Sequence, residues 1–274
     1  MLFAAGLLLL SVTTVQSLSL LLSPMSAIVP PSPALRHHLI MSSSSFSRRQ
    51  ILEEMKLPFT MFVRPIDEQA LASDSRSSGA ASTLVSQLSE AKASAVVLGL
   101  QLDAGAAMQD LLSRASASNS AVLILTADQV CVHEELGIME KPEDESVARK
   151  YFEAYRSTPL LLTVGSVRLT HVPSLTSVEE VFHGTVVFNK ASLEEDERLR
   201  RSGERKGIIR ELIDEGAPLL ACAGALMCEH PMMRKHINYI DDDSAVRGLK
   251  KSSVLNLFEQ MRVKLEKQVS KRPT

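Results

Sequence analysis

The sequence has few aromatic residues, few cysteines and almost no net charge. Tryptophan is absent, and the three cysteines (Cys131, Cys222 and Cys228) form neither a CxxC pair nor a zinc-ligand spacing. This sparse, odd number favours buried apolar thiols in a reducing compartment over a metal-binding or redox role. A formal net charge of -2 over 274 residues argues against a broad nucleic-acid surface, which needs clustered Lys and Arg. The remaining composition is that of a globular domain with ample core.

The first 35 residues contain no charged side chain, and the first arginine is Arg36. The run "MLFAAGLLLLSVTTVQSLSLLL" is interrupted by hydroxyl residues, so it resembles a signal-peptide core more than a membrane span. It lacks a basic start and a good cleavage site, which leaves a disordered extension as the alternative. We therefore assign residues 1–36 to a targeting leader, for an organelle such as a plastid or for secretion, or to such an extension. We expect no stable membrane insertion.

From His38 onward, strand and helix patterns alternate, which predicts an α/β fold. "HLIM" predicts a strand that leads into a serine-rich loop, and "SRRQILEEMKL" predicts a helix closed by Pro58. "AVLILTADQV" predicts a buried strand that ends at Asp128. Further strands are predicted in "FTMFV", "PLLLTVGSVRLTHV" and "VFHGTVVFNKAS", and amphipathic helices in "LVSQLSEAKASAVVLGL" and "SSVLNLFEQMRVKLEKQ". The charged run 193–206 is typical of a solvated helix face or an insertion.

Serines and arginines cluster where the first strand becomes a helix. Ser43, Ser44, Ser45, Arg48 and Arg49 are placed there by the sequence. Backbone N–H groups at a helix start, hydroxyls and guanidinium groups together suit an anion. The same residues also fit the end of a disordered leader, so composition alone leaves both readings open.

Asp128 stands at the predicted carboxyl end of a buried strand, where α/β proteins usually place ligands. It could hold a divalent ion or take a proton from water, or it could cap the following turn. Other charged candidates are Asp67, Glu68, Lys141, Glu215 and Glu229, and His230 is either a ligand or a structural hydrogen-bonding residue. The chain has no G-x-G-x-x-G, P-loop, G-x-S-x-G or H-E-x-x-H motif. The residues alone therefore indicate an acidic centre with basic neighbours, suited to a metal-bound phosphate substrate.

Six segments, taken in order over residues 38–262, resemble the Maf family of septum-formation-like proteins. "LIMSSSSFSRRQILEEMKLPF" resembles the family's opening "L-I-L-A-S-x-S-x-x-R-R-x-x-L", and "IDE" (66–68) its second signature. "LSEAKASAV" is similar to the family's "L-A-x-x-K-A-x-A" helix, and "LILTADQV" with "EKPEDESVAR" to its Asp motif and "KP" loop. "ACAGALMCEHP" and "DDDSAVRGL" are similar to its last two motifs. In sequence, these motifs are most similar to those of the plant and algal branch of the family.

This resemblance implies a Maf-like domain over residues 37–268, followed by a tail at 269–274. The implied fold is an elongated mixed sheet with flanking helices and a central cleft, related to inosine triphosphate pyrophosphatases. The implied activity is hydrolysis of a nucleoside triphosphate to the monophosphate and pyrophosphate, assisted by Mg²⁺, Mn²⁺ or Co²⁺. The resemblance also implies a cytoplasmic protein and a homodimer, with the nucleotide and not a nucleic acid as its ligand.

The resemblance also implies roles for individual residues. Asp128 and Glu68 would be the catalytic residues, with Asp128 as the general base and Glu68 supporting the metal or the water, and both carboxylates would hold the metal. The substrate-binding set would be Ser43, Arg48 and Arg49 on the triphosphate, Lys92 and Lys141 on the leaving pyrophosphate, and Glu229, which would help to read the base or to fix the site. Positioning and charge neutralisation are what phosphoryl hydrolysis mainly requires, so these residue types suit the reaction.

The chain departs from the family pattern at several positions. Phe46 and Ser47 replace the usual Pro-containing approach to the arginine pair, Cys222 replaces a Lys, and Lys250 replaces a Pro. "RSTP" (156–159) replaces a Ser-Gly turn. Cys222, with Gln129 and Glu229, favours modified purine nucleotides such as 7-methyl-GTP over dTTP and UTP. The departures also motivate an alternative, a catalytically degenerate nucleotide-binding protein that acts through partners in cell division. A hydrolase of another phosphate ester is a further alternative.

Overall fold

The computed structural model describes residues 36–102, 105–118 and 120–269. Seven strands and ten α-helices are found there. The strands are β1 (His37–Met41), β2 (Phe59–Met61), β3 (Ala121–His133), β4 (Gly137–Met139), β5 (Leu160–Val172), β6 (Ser177–Phe188) and β7 (Ile237–Ile240). The helices are α1 (Phe46–Glu54), α2 (Ser73–Ser77), α3 (Ala81–Leu102), α4 (Ala106–Ala117), α5 (Glu145–Ser157), α6 (Lys190–Ser202), α7 (Ile208–Asp214), α8 (Pro231–Arg234), α9 (Asp243–Val246) and α10 (Lys251–Val269).

All seven strands form one mixed sheet in the order β2-β1-β3-β5-β6-β7, with β4 paired to β3. The strands β2, β1 and β3 run parallel, and the other pairs are antiparallel. Met41 at the end of β1 lies opposite Leu125, whereas β3 continues to His133. The long strand β3 thus extends past the end of its parallel neighbour, and this step positions the site. The predicted α/β fold with a mixed sheet and flanking helices is confirmed.

Successive side chains of β3 face opposite sides of the sheet, so each side carries its own helices. Leu123 and Leu125 pack in one cluster with residues of α1 and α10, such as Ile51 and Leu257. Ile124 packs in another cluster with residues of α3 and α4. Buried apolar residues on both faces explain why this strand reads as a continuous apolar run in the sequence.

The largest cluster packs α5, α6 and α7 against the β3-β5-β6 part of the sheet. At its centre, the rings of Tyr155 and Phe188 stack with their centroids 4.2 Å apart. The charged run 193–206 forms most of α6, as the helix-face reading predicted. Leu193 and Asp196 are its buried members, and both Asp196 carboxylate oxygens accept the Ile208 backbone N–H that starts α7.

Two predicted boundaries are wrong. Asp128 does not end its strand, because β5 stays paired with β3 beyond it and Ser166 lies opposite Asp128. The first helix ends at Glu54, four residues before Pro58, in a turn where Lys56 has a φ of 55°. The predicted leader, apart from Arg36, and residues 270–274 of the predicted tail lie outside the described residues. Among those described, no helix is long and apolar enough to cross a membrane.

Candidate active site

The loop of residues 42–45, here called the serine loop, connects β1 to α1. The Ser42 N–H donates to the Leu125 carbonyl at 3.0 Å, which extends the β1–β3 pairing by one residue. The Ser45 side chain caps α1 by accepting the Arg48 N–H at 3.4 Å, and the Ser43 hydroxyl accepts the Ser45 N–H at 3.2 Å. Serine is a preferred residue at the N-cap position because its short hydroxyl reaches the unpaired N–H groups of the first helical turn. The loop is therefore ordered directly beside β3.

Arg48 ties the serine loop to two other segments. Its Nε donates to the Gly248 carbonyl at 2.9 Å, and its Nη1 donates to the Ala127 carbonyl at 3.0 Å and the Ser43 hydroxyl at 3.3 Å. Burial lowers the pKa of this guanidinium, and the Asp128 charge opposes that shift. Gly248 has a φ of +95°, and a Cβ there would lie 3.1 Å from Arg48 Nε. Arg48 is thus a positioning residue at the cleft wall as well as a cation.

Asp128, Lys92 and Glu68 form an ion-paired group beside this loop. The Lys92 Nζ lies 2.5 Å from an Asp128 oxygen and 2.9 Å from a Glu68 oxygen. The Lys92 side chain is only 13% exposed, because the residue follows Leu88 by four positions and so lies beside the apolar stripe of α3. Burial alone would raise the pKa of Glu68, but the Lys92 ammonium outweighs it and holds the pKa below its ordinary value.

These residues line a cleft of about 460 Å³. On the α1 side of the sheet, the Ser47 hydroxyl donates to a Glu229 carboxylate oxygen at 2.5 Å, and Cys222 lies on the same wall. Burial raises the pKa of the Cys222 thiol to about 12, so the thiol is neutral near pH 7. Lys141 reaches Glu68 at 3.8 Å and remains more than half exposed.

Seven of the eight predicted site residues line this cleft: Ser43, Arg48, Glu68, Lys92, Asp128, Lys141 and Glu229. The structure does not bring Arg49 to the cleft wall. Its guanidinium carbon lies 5.8 Å from the Phe46 ring centroid, while the Phe46 ring itself is exposed on the cleft. The two arginines differ because a helix rotates by 100° per residue, which turns Arg49 away from the wall that Arg48 faces.

The donor set suits a hard divalent cation that also has phosphate oxygens as ligands. Glu68 and Asp128 both contact the same ammonium, so their oxygens can converge on one cation. Within the described part of the chain, no group of three or more His, Cys, Asp or Glu side chains could hold a metal. Mg²⁺ commonly takes one or two carboxylates and completes its octahedron with water and substrate phosphates. The two carboxylates fit that type of site.

A family model described as "Maf-like protein" matches residues 38–261. The chain belongs to the Maf family. A curated protein of Dictyostelium discoideum named "7-methyl-GTP pyrophosphatase" is 29% identical over 224 residues, which cover 81% of this chain and 96% of that protein. The family predicted from six short motifs is therefore confirmed.

Other candidates have structural roles in this Maf domain. His230 caps α8 by accepting the Met232 N–H at 3.3 Å, as its structural reading predicted. Cys131 and Cys228 are buried free thiols, as expected, whereas Cys222 is only partly buried. Asp67 accepts the Ala70 N–H at 3.0 Å in an exposed turn.

Sequence reasoning missed three residues that line or shape the cleft. Arg64 lines it, four residues before Glu68, and Arg247 lines it from the α9–α10 junction. Gly248 supplies the carbonyl that holds Arg48. An arginine close to the "IDE" signature was a usable signal for Arg64. The role of Gly248 depends on a contact across 200 residues, for which the local sequence has no signal.

Proposed function

We propose that this Maf protein is a nucleoside triphosphate pyrophosphatase that releases the monophosphate and pyrophosphate, with 7-methyl-GTP among its substrates. The observation that carries the proposal is the group formed by Asp128, Lys92 and Glu68 in a cleft bordered by a helix-capping serine loop. A carboxylate beside a phosphate-binding helix start can activate water. The name of the Dictyostelium protein supports the same reaction class.

In the proposed reaction, the Asp128 carboxylate accepts a proton from water. The water oxygen forms a bond to the α-phosphorus while the bond from this phosphorus to the α,β-bridging oxygen breaks, and pyrophosphate leaves with that oxygen. The Lys92 ammonium orients Asp128, and Lys92 and Lys141 offset the negative charge that develops on the phosphate oxygens. The N-terminus of α1, through the N–H groups that follow the Ser45 cap, attracts the same charge.

Metal dependence belongs to the proposal. Glu68 and Asp128 would hold Mg²⁺, Mn²⁺ or Co²⁺. The bound cation supplies charge neutralisation at the phosphate oxygens. Removal of divalent cations with a chelator is therefore expected to abolish turnover, and their addition to restore it.

The charges of the cleft wall formed by Glu229 and Cys222 favour binding of a modified purine base. Glu229 contributes a carboxylate, and Cys222 is a neutral thiol at the position where the family pattern can have Lys. A carboxylate can accept two N–H groups from the edge of a guanine. The 7-methylguanine ring also carries a positive charge, which the Glu229 carboxylate offsets. The neutral Cys222 thiol does not repel this charge, as a lysine at the same position would.

The test is pyrophosphate release from a nucleotide panel that includes 7-methyl-GTP, GTP, dTTP and UTP. Asp128→Asn keeps the size of the side chain and removes the general base, so kcat is expected to fall about 100- to 10,000-fold. Asp67→Asn is the matched control, because an amide oxygen can still accept the Ala70 N–H outside the cleft. Its activity is expected to stay at the wild-type level.

The other outcomes of this test would support an alternative function or overturn the mechanism. Nucleotide binding without turnover on any nucleotide would support the degenerate family member. Free phosphate in place of pyrophosphate would support another phosphate-ester hydrolase. Full activity in Asp128→Asn would overturn the proposed mechanism while leaving the enzyme class intact.

A further inference from the structure

Arg64 is a cationic residue on the cleft wall that has no role in the reaction proposed above. It lies in the segment between β2 and Glu68 and lines the cleft with Lys92 and Asp128. Its guanidinium carbon lies 4.5 Å from the centroid of the Phe62 ring. Phe62 in turn packs against the cluster formed by β1, β3, α3 and α4. The arginine is therefore held against a ring that is anchored in the core.

The stem of Arg64 crosses α3 at Gly99. A Cβ at Gly99 would lie 2.4 Å from Arg64 Nε and 3.1 Å from its Cγ and Cδ. Gly99 sits inside a 22-residue helix, where glycine is among the least favourable residues. Its missing side chain leaves the space that Arg64 occupies, so the glycine serves the packing of the arginine.

Arg64 lies on the same side of the sheet as the reacting group. Lys92 precedes Gly99 by seven residues, which is nearly two turns, or about 10 Å along the same face of α3. Glu229 and Ser47, by contrast, belong to the α1 side. For a nucleotide whose base contacts Glu229 and whose α-phosphate lies at Asp128, we expect the outer phosphates to extend away from Glu229, toward the α3 side.

We propose that Arg64 binds the outer phosphates of the triphosphate and retains the pyrophosphate product, with Gly99 as the residue that positions it. This inference rests on the proposed pyrophosphatase function. A guanidinium suits this task because its planar N–H groups pair with two phosphate oxygens at once. Lys92 and Arg64 then form a row of cations along one helix.

The experiment uses inorganic pyrophosphate as the probe and the full chain. Its binding is measured by calorimetry and as product inhibition in wild type, Arg64→Met, Arg64→Lys and Gly99→Ala. Arg64→Met is expected to weaken pyrophosphate binding and raise KM for the nucleotide by about tenfold or more, with a smaller change in kcat. Arg64→Lys is expected to recover part of the affinity. Inhibition by the nucleoside monophosphate is expected to stay unchanged.

Gly99→Ala tests the same contact without altering a cleft residue. Alanine is the better helix former, so the variant is expected to fold at least as well while its Cβ displaces Arg64. It is expected to weaken pyrophosphate binding in wild type and to have no further effect in the Arg64→Met background. Arg114→Met, which removes an exposed arginine of α4 that pairs with Asp110, is the charge control and is expected to bind as wild type does.

Unchanged pyrophosphate affinity in folded Arg64→Met overturns the inference, and so does a wild type that binds no pyrophosphate. The proposed function fails separately, when wild type releases no pyrophosphate from any nucleotide. Calorimetry does not need turnover, so a loss of pyrophosphate binding in Arg64→Met would still support the role of Arg64 in that case.

Discussion

Replacing Lys92 with Met tests the arrangement of the site most directly. The Lys92 side chain is 13% exposed and that of Asp128 is 10% exposed, so removal of the ammonium leaves a buried carboxylate without its partner. Breaking a buried pair in this way typically costs 3–5 kcal/mol, and the 34% exposure of Glu68 reduces that to about 2–3 kcal/mol. For a domain of this size, the melting temperature is expected to fall by roughly 5–10 °C.

The loss of stability is expected to depend on pH. The pKa of Glu68 is lowered in the folded protein, so its pairing stabilises the fold above the unfolded-state pKa and that contribution is lost as the pH falls through the folded-state pKa. In Lys92→Met the two carboxylates face each other, and protonation of one relieves their repulsion. The difference in unfolding free energy between wild type and Lys92→Met is therefore expected to be largest near pH 7 and to decrease as the pH falls.

Urea unfolding of wild type, Lys92→Met and Lys92→Arg over a pH series is the assay. Lys92→Arg keeps the positive charge and is expected to recover most of the stability but not the activity, because its guanidinium is larger and planar. Equal stability of Lys92→Met and wild type near pH 7, or a difference that does not change in acid, would refute the placement of the ammonium between Asp128 and Glu68.

Three further predictions concern other parts of the structure. Gly248→Ala is expected to lower stability by about 1–3 kcal/mol and to reduce kcat/KM, because it strains the backbone and crowds Arg48. Gly203→Ala, with a similar φ but open space, is expected to lose stability alone. Ser47→Ala removes the hydrogen bond to Glu229, and a nucleotide panel is expected to show a change in base preference larger than the change in kcat. Asp196→Ala leaves the buried Ile208 N–H unpaired, and thermal unfolding is expected to show a loss of about 1–3 kcal/mol with activity retained.

The pattern of α3 shows what the sequence can predict. Leu84, Leu88 and Val96 are buried and Lys92 falls in the same four-residue repeat, so the helix, its buried face and the position of Lys92 beside that face follow from local spacing. The motif order then predicted which charged residues meet in the cleft. The predicted homodimer, the metal and the leader's destination stay predictions.

Other features depend on partners that are distant in the chain. The apolar run of β3 gives way to "TADQ", which resembles a strand end, yet β5 supplies backbone partners for 11 residues of β3. Arg48 and Arg49 are adjacent in sequence, and only the packing of α1 decides which of them faces the cleft. The Ser47–Glu229 hydrogen bond joins residues 182 positions apart, so it has no local signal.

The crossing of Arg64 over α3 has an evolutionary consequence. Any side chain at position 99 competes with a long side chain at position 64 for the same space. Among related sequences, these two positions are therefore expected to covary. Glycine at 99 should accompany arginine at 64, whereas a relative with a short residue at 64 is free to carry a larger residue at 99 and gain a more regular helix.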